Sequence, residues 1–273
     1  MFSFYKMQAT GNDFIIINFL EKKLEYSFKL LSKFLCDRHF GVGGDGVLIL
    51  ETSEIADFKM RIFNKDGSEA EMCGNGIRCL SKYIYESQLT DKLEFKIETI
   101  AGVKNIKLYI EGNTVEEIEV DMGRAKFNLE DIPVIYLENN YQGKLNIEKL
   151  EIYPVSIGNP HAVCFVEDVS KIDIKGLGEF IENYKYFPNK TNVEFVQIID
   201  KKNIKVRIWE RGVGETLSCG TGACAAAVIS NKYKDTNSKL TVNLLGGKLT
   251  VFCDENIKLK GSAENVFSGN ILK

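Results

Sequence analysis

Arg61-Ile62-Phe63-Asn64 opens a segment that runs through Glu69 to Met72-Cys73-Gly74-Asn75-Gly76. Arg207-Ile208-Trp209-Glu210 opens another, through Glu215 to Ser218-Cys219-Gly220-Thr221-Gly222. The two superpose without a gap at an offset of 146, with Glu69 on Glu215, Cys73 on Cys219, Gly74 on Gly220 and Gly76 on Gly222. A second pair lies upstream at an offset of 147. Gly11-Asn12-Asp13-Phe14 precedes Ile15-Ile16-Ile17, and Gly158-Asn159-Pro160-His161 precedes Ala162-Val163-Cys164-Phe165. Each half thus carries a Gly-Asn turn beside an apolar strand, then a strand that ends in Cys-Gly-x-Gly. A period this long lies outside the solenoid range and predicts two similar domains. A pseudo-two-fold between them would bring equivalent loops face to face.

Around these anchors the chain is rich in strand patterns. Residues 58–63, 94–99, 105–110, 117–121, 204–208 and 248–253 alternate or are β-branched over strand lengths. Helical stretches follow each Cys-Gly-x-Gly turn, at 77–89 and 223–232. The second begins Ala223-Cys224-Ala225-Ala226-Ala227, good helix formers that are apolar nearly all round, the mark of a buried central helix. The reading is an α+β chain. Residues 1–120 form an N-terminal half, 121–262 a C-terminal half, and the tail 263–273 returns to the first.

Composition removes several function classes. Lys and Arg number 35 against 38 Asp and Glu, a net charge of −3, so nothing marks a nucleic-acid or anionic-membrane surface. No apolar run reaches the roughly 18 residues of a membrane helix. The start of the chain lacks the layout of a signal peptide, which predicts a cytoplasmic protein. Seven cysteines, an odd number, argue against a disulfide framework. The Cys73–Cys79 and Cys219–Cys224 spacings are too wide for zinc knuckles, and only His39 and His161 are present, so no metal is expected. Most of the cysteines should be small buried hydrophobes.

Cys73 and Cys219 need another account, because each precedes glycines that open a helix. A helix N-terminus presents unpaired N–H groups and partial positive charge, which suit a carboxylate and lower a neighbouring thiol toward neutrality. One thiolate and one thiol near neutral pH make a proton abstractor and a proton donor. On opposite faces of one carbon they would invert its configuration, with the developing charge held by the amides.

Taken together, Gly11–Phe14, Asn64-x-Asp66-Gly67-Ser68-Glu69-Ala70, Met72–Cys79, Gly158–His161 and Glu210-Arg211-Gly212-x-Gly214-Glu215-Thr216-x-x-Cys219-Gly220-Thr221-Gly222-Ala223 resemble the diaminopimelate epimerases, in order and over essentially the whole chain. The resemblance implies a cofactor-free, pyridoxal-independent enzyme that converts LL-2,6-diaminoheptanedioate to the meso form on the route to lysine. It implies two similar halves, each a mixed β-sheet wrapped around a central α-helix, closing over substrate, and a homodimer. It makes Cys73 and Cys219 the two bases, and Gly74-Asn75 and Gly220-Thr221 the carboxylate cradle. Asn12, Asn64, Asn159, Asn192, Glu210 and Arg211 would contact substrate, and His161 and Glu210 would tune or orient the site. A substrate with two amino-acid ends suits amide side chains and one Arg. From the residues alone, other roles stay open. Asn64 and Asn192 could be turn formers, His161 a plain loop residue, Glu210 a paired strand-end carboxylate and Arg211 a surface ion pair. The chain departs from the family pattern at Gly46, where some members place a glutamine near substrate. It departs again at Phe267, where relatives place a tyrosine linked to dimer contact.

Three rival readings are set aside at this level. Gly41-x-Gly43-x-x-Gly46 spells a dinucleotide fingerprint, but it follows polar Asp37-Arg38-His39 and precedes the strand-like Val47-Leu48-Ile49-Leu50, the wrong order for that motif. Proline-type racemases share the cysteine pair but carry histidine where Asn75 stands. A two-cysteine redox protein would need a Cys73–Cys219 disulfide as its working state.

Overall fold

The computed structural model describes residues 2–20, 27–136 and 141–272. Residues 1, 21–26, 137–140 and 273 of the expected halves and tail lie outside the described residues. The chain divides into two compact units. One comprises Met1–Asp121 with Lys260–Lys273, and the other Met122–Leu259.

The first unit begins with β1 (Phe2–Ala9), β2 (Asn12–Asn18), α1 (Phe28–Cys36) and β3 (Gly46–Glu51). It continues with β4 (Phe58–Asn64), β5 (Glu69–Ala70), α2 (Gly74–Glu86), β6 (Glu94–Thr99), β7 (Gly102–Glu111) and β8 (Thr114–Gly123). The second holds β9 (Leu145–Ile147), β10 (Leu150–Ser156), β11 (Pro160–Phe165), α3 (Ile174–Glu182), β12 (Asn192–Ile198) and β13 (Asn203–Glu210). Then come β14 (Gly214–Thr216), α4 (Gly220–Tyr233), β15 (Lys239–Leu244), β16 (Gly247–Cys253) and β17 (Ile257–Gly261). The last strand, β18 (Glu264–Ile271), pairs antiparallel with β1.

The duplication read from the sequence is a duplication of hydrogen-bonded order. In the first unit β1 pairs antiparallel with β2, β2 parallel with β3, β3 antiparallel with β4, β4 parallel with β6 and β6 antiparallel with β7. In the second, β10, β11, β12, β13, β15 and β16 repeat that series with the same senses. The aligned acids also do the same work. Arg61 Nε donates to Glu69 at 2.6 Å across β4 and β5, and Arg207 Nε donates to Glu215 at 2.8 Å across β13 and β14. The fold is α+β, with few helices on mixed sheets.

In each unit the sheet curves around one helix. α2 packs on β1, β2, β3, β4, β7 and β18, and α4 on β10, β11, β12, β13, β15 and β16. Pleating sends alternate side chains to opposite faces. Ile15, Ile17, Val47 and Ile49 join the cluster that includes Leu35 and Cys36 of α1, which leaves the intervening residues for the α2 side. The same alternation puts Val193 and Phe195 in the cluster with Ile174 and Ile181 of α3, and turns Asn192 and Glu194 toward α4.

Both central helices start earlier than the sequence pattern predicts, at Gly74 and Gly220, because the cysteine itself is the cap. α4 buries Ala223, Ala225, Ala226 and Ala227 completely, since only small side chains let a strongly curved sheet approach a helix from several sides. Among the described residues no helix is long and apolar enough to cross a membrane. The fingerprint-like Gly41 and Gly43 follow α1 and Gly46 opens β3, a helix before and a strand after.

Overpacking this interface has a defined cost. Ala226→Leu is expected to destabilise the protein by about 1–3 kcal/mol, read as a lower midpoint in urea unfolding; an unchanged midpoint would show that the interface has room.

Candidate active site

Cys73 is the N-cap of α2, with extended backbone (φ −140°, ψ 118°), and its Sγ accepts from Gly76 N at 3.4 Å. Cys219 is the N-cap of α4 in nearly the same conformation (φ −128°, ψ 123°). The glycines in the first turn are required by proximity. A Cβ on Gly76 would sit 3.0 Å from Leu48 Cδ2, and one on Gly222 would sit 2.8 Å from Glu194 Oε1 and 2.9 Å from Ile208 Cδ1.

In the first unit, Asn12, Cys73 and Asn75 form one cluster. Asn12 Oδ1 lies 3.8 Å from Cys73 Sγ and accepts from Asn75 Nδ2 at 3.5 Å. Asp45 fixes which end of Asn12 points inward, because its Oδ2 accepts a hydrogen bond from Asn12 Nδ2 at 2.7 Å. Beneath the turn, the fully buried Arg78 donates to Gly74 O at 3.0 Å and to Thr10 Oγ1 at 3.3 Å. Asn64 is exposed at the end of β4, and its Nδ2 donates to Ser68 Oγ at 3.0 Å. Asn64 makes the turn-forming bond that the residues alone allowed.

In the second unit, Cys219, Thr221, Asn159, His161 and Glu194 form a continuous chain. Cys219 Sγ and Thr221 Oγ1 are 3.4 Å apart, Asn159 Nδ2 donates to Thr221 Oγ1 at 3.4 Å, and His161 Nε2 lies 2.9 Å from Asn159 Oδ1. His161 is no loop histidine. It sits on β11, completely buried, with Nδ1 2.7 Å from Glu194 Oε1. Asn192 is buried and bonds locally at both ends, donating to Pro160 O at 2.9 Å and accepting from Arg211 N at 3.0 Å. The exposed Arg211 guanidinium reaches Asn189 O at 3.1 Å, and Glu210 Oε1 accepts from Thr216 Oγ1 at 2.6 Å. Gly46 pairs with Asn64 and leaves no side chain in the early loop, and Phe267 sets its ring edge-to-face on Phe4 at 5.9 Å.

One expectation about charge is corrected. The helix terminus was expected to lower both thiols, but Cys219 is pushed well above its ordinary value. Burial is the main cause, Glu210 adds to it, and the Thr221 hydrogen bond only partly opposes them. For a buried thiol beside the Glu210 carboxylate, desolvation outweighs a helix dipole. Burial also raises Cys36 and Cys164 to about 11 and Cys79 and Cys253 to about 12, as inert structural thiols should be. All seven described cysteines are free thiols.

Comparison with known proteins places the chain. A family model described as diaminopimelate epimerase matches residues 4–128 and 153–266. The chain belongs to the diaminopimelate epimerase family. A diaminopimelate epimerase of Methanococcus maripaludis (strain S2) is 45% identical over 274 residues, covering 98% of this chain and 99% of the relative. Another family member, from Agathobacter rectalis, is 44% identical over 281 residues, covering 98% of each. Among solved structures, a PhzF-family phenazine biosynthesis protein of Bacillus anthracis has a TM-score of 0.74 at 22% identity, covering 100% of this chain and 99% of that one, and shares the fold.

Sequence reasoning gave no role to Thr10, Asp45, Arg78 or Glu194 of these clusters. Arg78 and Glu194 carried a usable signal, a charged residue inside an otherwise apolar helix or strand, which has to be paired or neutralised when buried. Asp45 carried none.

The Asp13 carboxyl at the edge of the first cluster generates a test. Burial alone would raise it, but Arg38 and Lys6 outweigh burial and hold it at about 2, against an ordinary 3.8. A depressed carboxyl stabilises the fold above its ordinary value and loses that stabilisation as pH falls toward the folded value. Asp13→Asn is therefore expected to flatten the loss of stability between about pH 4 and pH 2, measured by denaturant unfolding across that range; a variant as acid-sensitive as the parent would refute the pairing.

Proposed function

We propose that this protein epimerises LL-2,6-diaminoheptanedioate to the meso form without a cofactor, in lysine biosynthesis. What carries the reading is a duplicated site. Each half of a family member presents a cysteine as the cap of a glycine-opened helix beside an asparagine.

The chemistry is a two-base exchange. One sulfur, as thiolate, removes the α-proton, and the charge left on the carbon spreads into the α-carboxylate. The other sulfur, as thiol, returns a proton to the opposite face, so the two cysteines exchange protonation states in each turnover. The backbone amides of Gly74-Asn75 and Gly220-Thr221, at the positive ends of α2 and α4, suit that carboxylate in the transition state. Asn12, Asn64, Asn159, Asn192, Glu210 and Arg211 contact the substrate, with Arg211 gripping the distal carboxylate and Glu210 meeting an ammonium. Asn64, Asn192 and Arg211 now donate to Ser68, Pro160 and Asn189, bonds that substrate would have to replace. His161 and Glu210 tune the thiol of the second half.

We further propose a cytoplasmic homodimer. A groove of about 450 Å³ lined by Phe4, Phe34, Phe40, Val42, Phe267 and Leu272 is apolar and open, with Phe40 84% and Leu272 79% exposed. An exposed patch of this kind suits a protein interface.

The test is isotopic. With diaminopimelate in deuterated water and no added cofactor, deuterium is expected at the α-carbon together with epimerisation. Cys73→Ser and Cys219→Ser should each lose epimerisation by at least about a thousandfold, in line with removal of an essential acid or base. Turnover of proline at a comparable rate, or full activity of either serine variant, would overturn the assignment.

A further inference from the structure

Both halves put an asparagine beside the capping cysteine, but what lies behind the asparagine differs. Asn12 is held by Asp45. Asn159 is held from within by His161, and His161 by Glu194, where the aligned positions of the first half are the apolar Phe14 and Leu48. β11 and β12 set this arrangement through a parallel register that pairs His161 with Asn192.

Glu194 is completely buried. Its Oε1 meets His161 Nδ1 at 2.7 Å, and its Oε2 has no hydrogen-bond partner among the described residues. A buried carboxylate oxygen with no hydrogen-bond partner is costly, whereas the carbonyl oxygen of a neutral acid is far less so. Burial acts in the same sense and pushes the Glu194 carboxyl up, while His161 opposes it. The titratable groups facing Glu194 are His161 on β11, Cys219 at the cap of α4 and Glu210 at the end of β13. His161 Nε2 faces Asn159 Oδ1, which can only accept, so Nε2 must carry a proton. A neutral ring has one such proton, and Nδ1 is then an acceptor that needs a donor.

We propose that Glu194 is a protonated acid that donates to His161 Nδ1 and acts as a positioning residue for Cys219. Holding the imidazole as its Nε2–H tautomer turns Asn159 so that Nδ2 donates to Thr221 Oγ1, which leaves the Thr221 hydroxyl proton for the Cys219 sulfur. Four side chains thus point their donors one way, toward the atom that must bear negative charge in half of each catalytic cycle. Burial raises Cys219, and this chain is the local counterweight. Its catalytic consequence rests on the epimerase reading, but the chain itself can be tested without turnover.

Nitrogen-15 NMR of the histidine-labelled full-length protein gives the first answer. The chain has two histidines, so His39→Gln assigns the spectrum. The expected result near neutral pH is a pyridine-like Nδ1 and a protonated, pyrrole-like Nε2 for His161. A bare Nε2, which would go with a flipped Asn159 amide, or an imidazolium would overturn the proposal. The second measurement is the rate at which iodoacetamide labels Cys219, followed by peptide mass at fixed pH. Glu194→Leu copies the residue of the first half and should slow labelling by about tenfold, the loss expected when a thiolate gives up one hydrogen bond. Glu194→Gln, whose amide still donates to Nδ1, should recover much of that rate. If Glu194 acted only as a nearby negative charge, both variants would label faster than the parent, and the proposal would fall. Labelling and NMR as expected in a protein that does not epimerise diaminopimelate would leave the chain standing and remove the functional reading instead.

Discussion

Everything in the second half hangs on how closely the first turn of α4 approaches the strand beneath it, and the first half repeats the demand with α2. A helix N-terminus binds and polarises only what its first amides can reach, so the cysteine cap and the glycines after it must be seated tightly. Gly76 rests on Leu48 and Gly222 on Glu194, at separations where even one methyl group would collide. The buried alanines of α4 serve the same end, because a helix enclosed by six strands must be thin. Core packing and site chemistry are here a single requirement.

Duplication supplied two copies of that seat, and substitution made them chemically unlike. At aligned positions the first half has Phe14, Leu48 and Arg78, and the second has His161, Glu194 and Cys224. A buried guanidinium braces the carbonyl of Gly74 under one cysteine, while a carboxyl–imidazole pair stands under the other. The backbone hydrogen bonds are alike in both units, so the difference lies in side chains on equivalent strands. The proposed exchange between two thiols works best when they are close in proton affinity, and side chains beneath the cap can adjust each separately.

The repeat was legible because it is written in local order: a Gly-Asn turn, a strand, a Cys-Gly-x-Gly turn, a helix. The order of the flanking elements also excluded the dinucleotide fingerprint, and the structure places a helix before those glycines. The partners of the cysteines were less legible, since they depend on register between strands far apart in sequence. That Glu194 would face α4 follows from pleating once β12 is known to bury Val193 and Phe195 on its other face, a fact no motif announces. Asp45 lies in a loop among ordinary polar residues, and only the Asn12 hydrogen bond shows its part. The expectation of a lowered thiol failed at Cys219 for a related reason. Helix position can be read from a string of residues, but the depth of burial that overrides it cannot.

A thiol raised by burial suits proton-transfer chemistry of the kind proposed for Cys219. A permanently ionised cysteine would be a ready nucleophile and an easily oxidised one. A sulfur kept protonated by burial is protected from both until substrate enters. The α-ammonium of an amino acid brings positive charge to the reacting carbon, and a nearby cation favours the thiolate. Binding and activation are then the same event, because the ligand that needs deprotonation supplies part of the field that permits it. In the proposed arrangement, the donors beneath Cys219 set how far the ligand's charge has to move that equilibrium.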